Sequence, residues 1–258
     1  MEKVVIITGA SSGIGEQLKN MYEKDGDIVV NMSIDVKEED DKNIKLDVSN
    51  RQMCFDAIDK VYATFGKIDV LINCAGYGVF GAIELLTEEK CKQIFDVNFY
   101  GTLWCSQAVL KYMKAGARII NLASAAGIFA VPYRTMYSAC KSAVIMLSFG
   151  LRMELKSFGV QVACICPGDI KTNFSKNRDI TLTTNNKYGE KIEKSCKKIE
   201  KNEHKRMDKE KACKKIYKIC TKKHLKAMYL IGKKIKFLNF AQKLVSKDKL
   251  LSIIEKKY

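Results

Sequence analysis

Two hydrophobic periods alternate along the chain. Short, nearly solid apolar runs fall at residues 4–7, 27–34, 43–46, 70–72, 118–122, 160–166 and 228–231, each followed by small or polar residues. Bounded runs of this length read as buried strands. Between them, apolar residues recur every three or four positions and predict helices. One covers residues 14–24, with Gly26 ending it. A second runs from a cap at Ser49 or Asn50 to Phe65, with Met53, Ala57, Ile58, Val61 and Phe65 toward the core. Thr87 caps a third that carries on to Gly101, a further helix reaches about Lys114, and the next carries Tyr137 and Lys141. This alternation predicts one α/β domain over 1–258: a doubly wound, mostly seven-stranded parallel sheet with helices on both faces. The link from Asp35 to Asn43 is too short for a crossover helix, so that corner should be trimmed.

Composition narrows the class. A chain of 258 residues with 47% hydrophobic residues and two prolines is globular. The ten cysteines are scattered without a C-x-x-C pair or a neighbouring histidine, so no metal is expected, and they suit a reducing compartment. The first strand begins at residue 3, and no apolar run reaches the ~20 residues of a membrane span. The expected location is cytoplasmic.

Charge is uneven. Through Ser175 there are 19 basic and 20 acidic residues, net −1; from Lys176 there are 26 and 9, net +17. The lysines lie at helical spacing with few aromatics among them, which favours a solvated helical face over nucleic-acid binding. The stretch 236–258 is amphipathic, with Phe237, Phe240, Ala241, Leu244, Leu251 and Ile254 expected on one face. Docking on its own domain or a twin subunit is preferred, with peripheral membrane contact the alternative.

The candidate chemistry starts at the first strand. Thr8, Gly9, Ala10, Ser11, Ser12, Gly13, Ile14 and Gly15 place glycines at positions one, five and seven of a seven-residue window, between a buried strand and a helix. Gly9 permits the tight turn, Gly13 lets backbone approach a pyrophosphate, and Gly15 allows close helix packing, with the helix N-terminus facing the phosphates. A dinucleotide cofactor in a Rossmann fold is the expectation. Asp35 follows the second strand, where an acid accepts from a ribose 2′-hydroxyl; no arginine stands there for a 2′-phosphate. The lean is to NAD over NADP, although Lys37 and Lys42 are close.

With these residues in place, the chain resembles the short-chain dehydrogenase/reductase family over roughly two thirds of its length. The matches are the turn from Thr8 to Gly15, Asp47, the segment Asn73, Cys74, Ala75, Gly76, then Asn98, Ser124, the pair Tyr137 and Lys141, and Pro167-Gly168 with Thr172. Asp35 lies two residues beyond the family's usual NAD-selecting acid. The resemblance implies cofactor contacts by Ser11, Ser12, Ile14, Asp47, Val48, Asn73, Ala75, Gly76, Tyr137, Lys141, Pro167, Gly168 and Thr172, beside the loop glycines and Asp35. It also implies a substrate lid over about 173–208, a lysine-rich helical extension over about 233–258 like that of the hydroxysteroid-dehydrogenase branch, and a homodimer or homotetramer.

The reaction can be argued from the residues. Hydride delivery to a carbonyl carbon leaves an alkoxide that needs a proton donor and a neighbour to hold the oxygen. Tyr137 is the candidate donor. A free phenol, with pKa about 10, is a poor base at neutral pH, and Lys141 one turn away would favour the phenolate. Ser124 would hydrogen-bond the substrate oxygen, and the resemblance gives Asn98 a water linking Lys141 to solvent. Ile128, Phe129, Tyr133 and Phe174 suggest a pocket for a hydrophobic ketone, aldehyde or alcohol. The expected function is an NAD(P)-dependent oxidoreductase. The alternatives are a sugar-nucleotide epimerase or dehydratase, and a cofactor-sensing binder without turnover. Asp47, Asn98 and Ser124 could instead serve only as local caps.

Overall fold

The computed structural model describes residues 2–171, 174, 178–182, 187–188, 190–201 and 206–255, with backbone alone at 199–201. The strand β1 (Val4–Thr8) is buried along its whole length. Its side chains part between two cores: Val4 and Ile6 join Val30, Ile58 and Val109, whereas Val5 and Ile7 join Leu18, Ile72 and Ile216. A strand covered on both faces has no polar side, which explains why the run is solid. Burying each of these side chains contributes about 1.5–3 kcal/mol.

Around it the sheet runs β3 (Asn43–Lys45), β2 (Ile28–Ser33), β1, β4 (Val70–Asn73), β6 (Arg118–Leu122), β7 (Gln161–Pro167), β9 (Met228–Ile231). All seven strands are parallel, as expected. The chain winds one way through β2 and β3 and the other way from β4 onward. The switch therefore falls between β1 and β4, where Thr8 pairs with Asn73 at the carboxyl ends. Such a switch point opens the crevice in which ligands of this architecture lie.

On one face, α1 (Gly13–Lys24) packs with α7 (Lys209–Cys220), the rings of Tyr22 and Tyr217 meeting edge-on at 4.8 Å. The Tyr217 hydroxyl donates to Asp25, and Lys209 pairs with Glu16 at 3.3 Å. On the other face lie α2 (Arg51–Phe65) and α4 (Gly101–Leu110), with α5 (Thr135–Glu154) beyond. Asn50 caps α2 by accepting from the Met53 amide, and Thr87 caps α3 (Glu88–Phe95) by accepting from that of Lys90. The β2–β3 link holds no helix. Asp40 turns it by accepting from the amides of Lys42 and Asn43, which gives the acidic run a local structural role.

Three expectations are corrected and one feature was unforeseen. The helix after Thr87 passes into α4 through a single π turn, Asp96–Tyr100, and α4 stops at Leu110. Met53 lies exposed because the core face of α2 is already filled by Cys54, Ala57, Ile58 and Val61. The short parallel pair β5 (Val79–Phe80) and β8 (Asp179–Ile180) was not legible, two residues being too few to show a period. The C-terminal stretch is two helices, α8 (Lys233–Ala241) and α9 (Lys247–Glu255), so one helical phase does not persist through it. Phe237, Phe240, Leu244 and Leu251 consequently point outward. Ile235, Leu238, Leu250 and Ile254 turn inward.

The helix α6 (Glu190–Lys201) buries Ile192 and Cys196 against Phe80 and Ala82. All ten cysteines are free thiols, eight of them buried, so they pack as small hydrophobes. No described helix is long and apolar enough to cross a membrane.

Candidate active site

The carboxyl ends of β1, β4, β6 and β7 open onto a cavity of about 380 Å³. At its β1 end, Gly9 adopts φ +69° and a Cβ there would lie 2.9 Å from Ala75 Cα, so the turn and the close approach both require glycine. Gly13, at φ +63°, has no atom within 4 Å of the space a Cβ would take. A Cβ on Gly15 would fall 2.3 Å from the Gly9 carbonyl oxygen. The third glycine thus presses the start of α1 onto the loop itself. Thr8 Oγ1 ties the loop to β4 by accepting from the amides of Cys74 and Ala75, at 3.0 and 3.1 Å.

Ser11 is locked to β2: its amide donates to Ser33 Oγ, and its hydroxyl accepts from Asn31 Nδ2. Ser12 precedes α1 without capping it through its side chain. The first amides of α1 are left for an anionic ligand or water, and the clear space at Gly13 gives a diphosphate room beside them. These features fit a dinucleotide. Asp35 lies exposed just past β2. Asp47 takes the local role weighed above: its carboxylate accepts from the amide and hydroxyl of Ser49 at 2.9 and 2.7 Å. Val48 is buried against Gly101, where a Cβ would lie 2.6 Å from Val48 Cγ2.

Helix α5 delivers Tyr137 and Lys141, both buried. Lys141 Nζ stands 5.9 Å from the centroid of the Tyr137 ring and donates to the Leu122 carbonyl at 3.1 Å. Gly127 sets the depth of this helix, since a Cβ there would come within 2.7 Å of the Lys141 backbone. Ser124 Oγ accepts from the Ala126 amide at 3.1 Å, so it caps the following turn while lining the cavity. Asn98 sits in the π turn, fully buried, and Nδ2 donates to the carbonyls of Tyr77 and Ile94. Its Oδ1 has no hydrogen-bond partner. A Cβ on Gly76 would strike that oxygen at 2.1 Å and lie 3.6 Å from Lys141 Nζ. Asn98 and Lys141 therefore flank one glycine, and the open oxygen is oriented for a water or ligand donor.

Other predicted residues divide. Ala75, Gly76, Ile14, Pro167 and Gly168 line the cavity with Phe129 and Phe174. The Asn73 side chain turns away, donating to Ser106 and Asn121, and the residue does not line the cavity. Ile128 does not line the pocket; it packs against the core of Ala123, Val144 and Ile145 because its turn lies flat on α5. Tyr133 also leaves the pocket, at φ +61°, with its ring held by Phe80 and Tyr188 at 5.8 and 6.3 Å. Thr172 lies outside the described residues.

Several cavity residues were not anticipated. Cys74 lines the wall, its thiol pushed up to about 12 by burial. Burial likewise lifts the Tyr77 phenol to about 12, and its hydroxyl has no hydrogen-bond partner. Arg134, Arg178 and Arg206 gather on the Phe174 side of Tyr137, and Ile235, Leu238, Leu250, Ile253 and Ile254 of α8 and α9 also line the cavity. The arginines carried a signal that could have been read: the chain has six arginines against 39 lysines.

The fold and this cluster are those of an NAD(P)-linked oxidoreductase, with a buried tyrosine and lysine pair lining the cavity. Residues 3–182 match the short chain dehydrogenase family, and the chain belongs to it. It is similar to a 3-ketodihydrosphingosine reductase of Bacteroides thetaiotaomicron, 38% identical over 207 residues, covering 78% of this chain and 77% of the relative. It is also similar to an uncharacterized oxidoreductase of Staphylococcus aureus, 33% identical over 66% of this chain and 79% of that one. Among solved structures, a short-chain dehydrogenase from Streptomyces avermitilis superposes with a TM-score of 0.85 at 28% identity, covering 99% of this chain and 96% of that one.

Proposed function

We propose that the protein is an NAD(P)-dependent reductase of a hydrophobic carbonyl compound, with Tyr137 as general acid. The observation that carries this reading is that the glycine loop and Ser124, Tyr137 and Lys141 line one continuous cavity. When bound, the nicotinamide supplies a hydride to the carbonyl carbon. The Tyr137 hydroxyl gives its proton to the carbonyl oxygen, and Ser124 Oγ holds that oxygen by donating to it. Lys141 places a positive charge beside the phenol and favours the phenolate left behind. Asn98 Oδ1 accepts from a water through which the proton is replaced. In the reverse direction Tyr137 is the base. The name of the Bacteroides relative, which describes reduction of a keto group, supports the reductive direction.

NAD is the preferred cofactor, supported by Asp35 past β2 and by the absence of arginine from 27–50. Helices α8 and α9 over the cavity support placement in the hydroxysteroid-dehydrogenase-like branch. Pairing of subunits through α4 and α5 is supported by exposed Tyr100, Met146 and Met153, and a reducing cytoplasm by the ten free thiols. The test is parallel titration with NADH and NADPH, read by nucleotide fluorescence. Tighter NADH binding is expected; binding of neither nucleotide overturns the reading.

A further inference from the structure

Six arginines stand in a chain whose other cationic side chains are 39 lysines, and three of the six have evident structural tasks. Arg51 lies 4.3 Å over the Phe55 ring. Arg118 donates to the carbonyls of Cys220 and Lys222, and Arg152 to those of Val162 and Leu225. The other three, Arg134, Arg178 and Arg206, come from the start of α5, the segment before β8 and the segment before α7, yet line one cavity with Tyr137. No local structure requires that convergence.

The Arg134 Nε is buried and, among the described residues, has no hydrogen-bond partner. Among the described residues, the side chains of Arg134 and Arg178 have no ion-pair partner. Burial and the two neighbouring guanidinium charges pull Arg178 down to about 10, so positive charge is gathered at this part of the cavity. Unpaired buried charge is costly, and a polar group left open in this way asks for a partner. Asp169 is the one carboxylate among the cavity-lining residues, and it is exposed. Phe174, whose ring lies 5.9 Å from that of Tyr137, and Phe129 supply an apolar wall beside the arginines.

We propose that Arg134, Arg178 and Arg206 form an anion subsite for the substrate, which is therefore an apolar carbonyl compound bearing one carboxylate or phosphate group. This rests on the reading of the cavity as a reductase site. The planar fork of arginine suits either oxyanion, and two or three forks in a partly dry site discriminate by charge more sharply than the exposed lysines can. An ammonium on the substrate would be repelled, and a neutral chain would leave Arg134 and Arg178 without an ionic partner.

The test is calorimetric titration of the NADH-loaded protein with octanoate, octyl phosphate, octanol and octylamine, each below its micelle concentration. One or both anions should bind at least tenfold more tightly than octanol, with octylamine weakest; which anion wins identifies the oxyanion. Arg178→Gln and Arg134→Gln should each lower anion affinity at least tenfold toward the octanol value while leaving NADH affinity unchanged. Equal binding of octanol and both anions overturns the proposal, and that comparison needs only the wild-type protein should a variant not fold. Selective loss of NADPH over NADH binding in Arg178→Gln also overturns it, since the cluster would then serve the nucleotide. Failure of the wild-type protein to bind NADH sinks the reductase reading; anion binding by the nucleotide-free protein would still stand as a separate result.

Discussion

The two ends of the cavity are built on different plans. At the β1 end the wall is backbone: Gly9, Gly13 and Gly15 clear space, Thr8 fixes the adjoining strand end, and α1 begins without a side-chain cap. Beyond Tyr137 the wall is side chains from distant segments, namely Arg134, Arg178, Arg206, Phe174 and the residues of α8 and α9. A backbone cradle accepts one fixed chemical group, and its requirements are steric. A side-chain lining can be altered residue by residue with the sheet unchanged. Tyr137 and Lys141 sit where the two plans meet.

The sharpest way to separate the ends is Tyr137→Phe. Turnover should fall by about 10²–10⁴-fold, the usual contribution of a positioned general acid, with NADH affinity nearly unchanged. Retained turnover would remove Tyr137 from the chemistry. Gly15→Ala should act at the other end, because the new Cβ would lie 2.3 Å from a carbonyl oxygen. Overpacking of this kind costs about 1–3 kcal/mol, and the expected signature is lower NADH affinity together with a lower Tm. A variant with unchanged NADH binding would show that the loop is not the nucleotide cradle.

Titration of buried thiols gives a broader effect. Burial lifts Cys74, on the cavity wall, and Cys220, at the end of α7, to about 12. An unfolded thiol ionises near 8.5, so above that pH the unfolded chain releases protons that the folded chain retains. Stability should therefore be intact below about pH 8.5 and decline toward pH 12, by up to about 1.4 kcal/mol per pH unit for each such thiol. Urea unfolding at pH 7.5, 9 and 10 checks the sign; stability rising with pH would refute it. The smallest effect is expected from Tyr217→Phe, which removes the hydrogen bond to Asp25 on the face opposite α2 and α4. The loss should be about 0.5–1.5 kcal/mol, visible in Tm and absent from NADH affinity.

The same contrast explains what the sequence disclosed. Strand and helix order, the glycine turn and the Tyr137–Lys141 pair are local patterns, with their periods or spacings written in contiguous residues. The convergence of Arg134, Arg178 and Arg206 spans 73 positions of chain and has no period. Tyr133 and Ile128 are apolar neighbours of Phe129 in sequence, but the loop geometry that sends one ring to Phe80 and the other side chain to α5 depends on tertiary packing. The C-terminal face was misjudged for a related reason: the break between α8 and α9 resets helical phase, which a single periodic reading cannot register.

The packing of α7 on α1 bears on biosynthesis. The glycine loop is made well before the partners of the helix behind it, whose apolar face is covered by Ile216, Ile219 and Cys220, and β9 joins the sheet edge later still. A nascent chain therefore holds part of the Leu18 and Tyr22 face uncovered until α7 has been made. Each residue between β7 and α7 lengthens that interval.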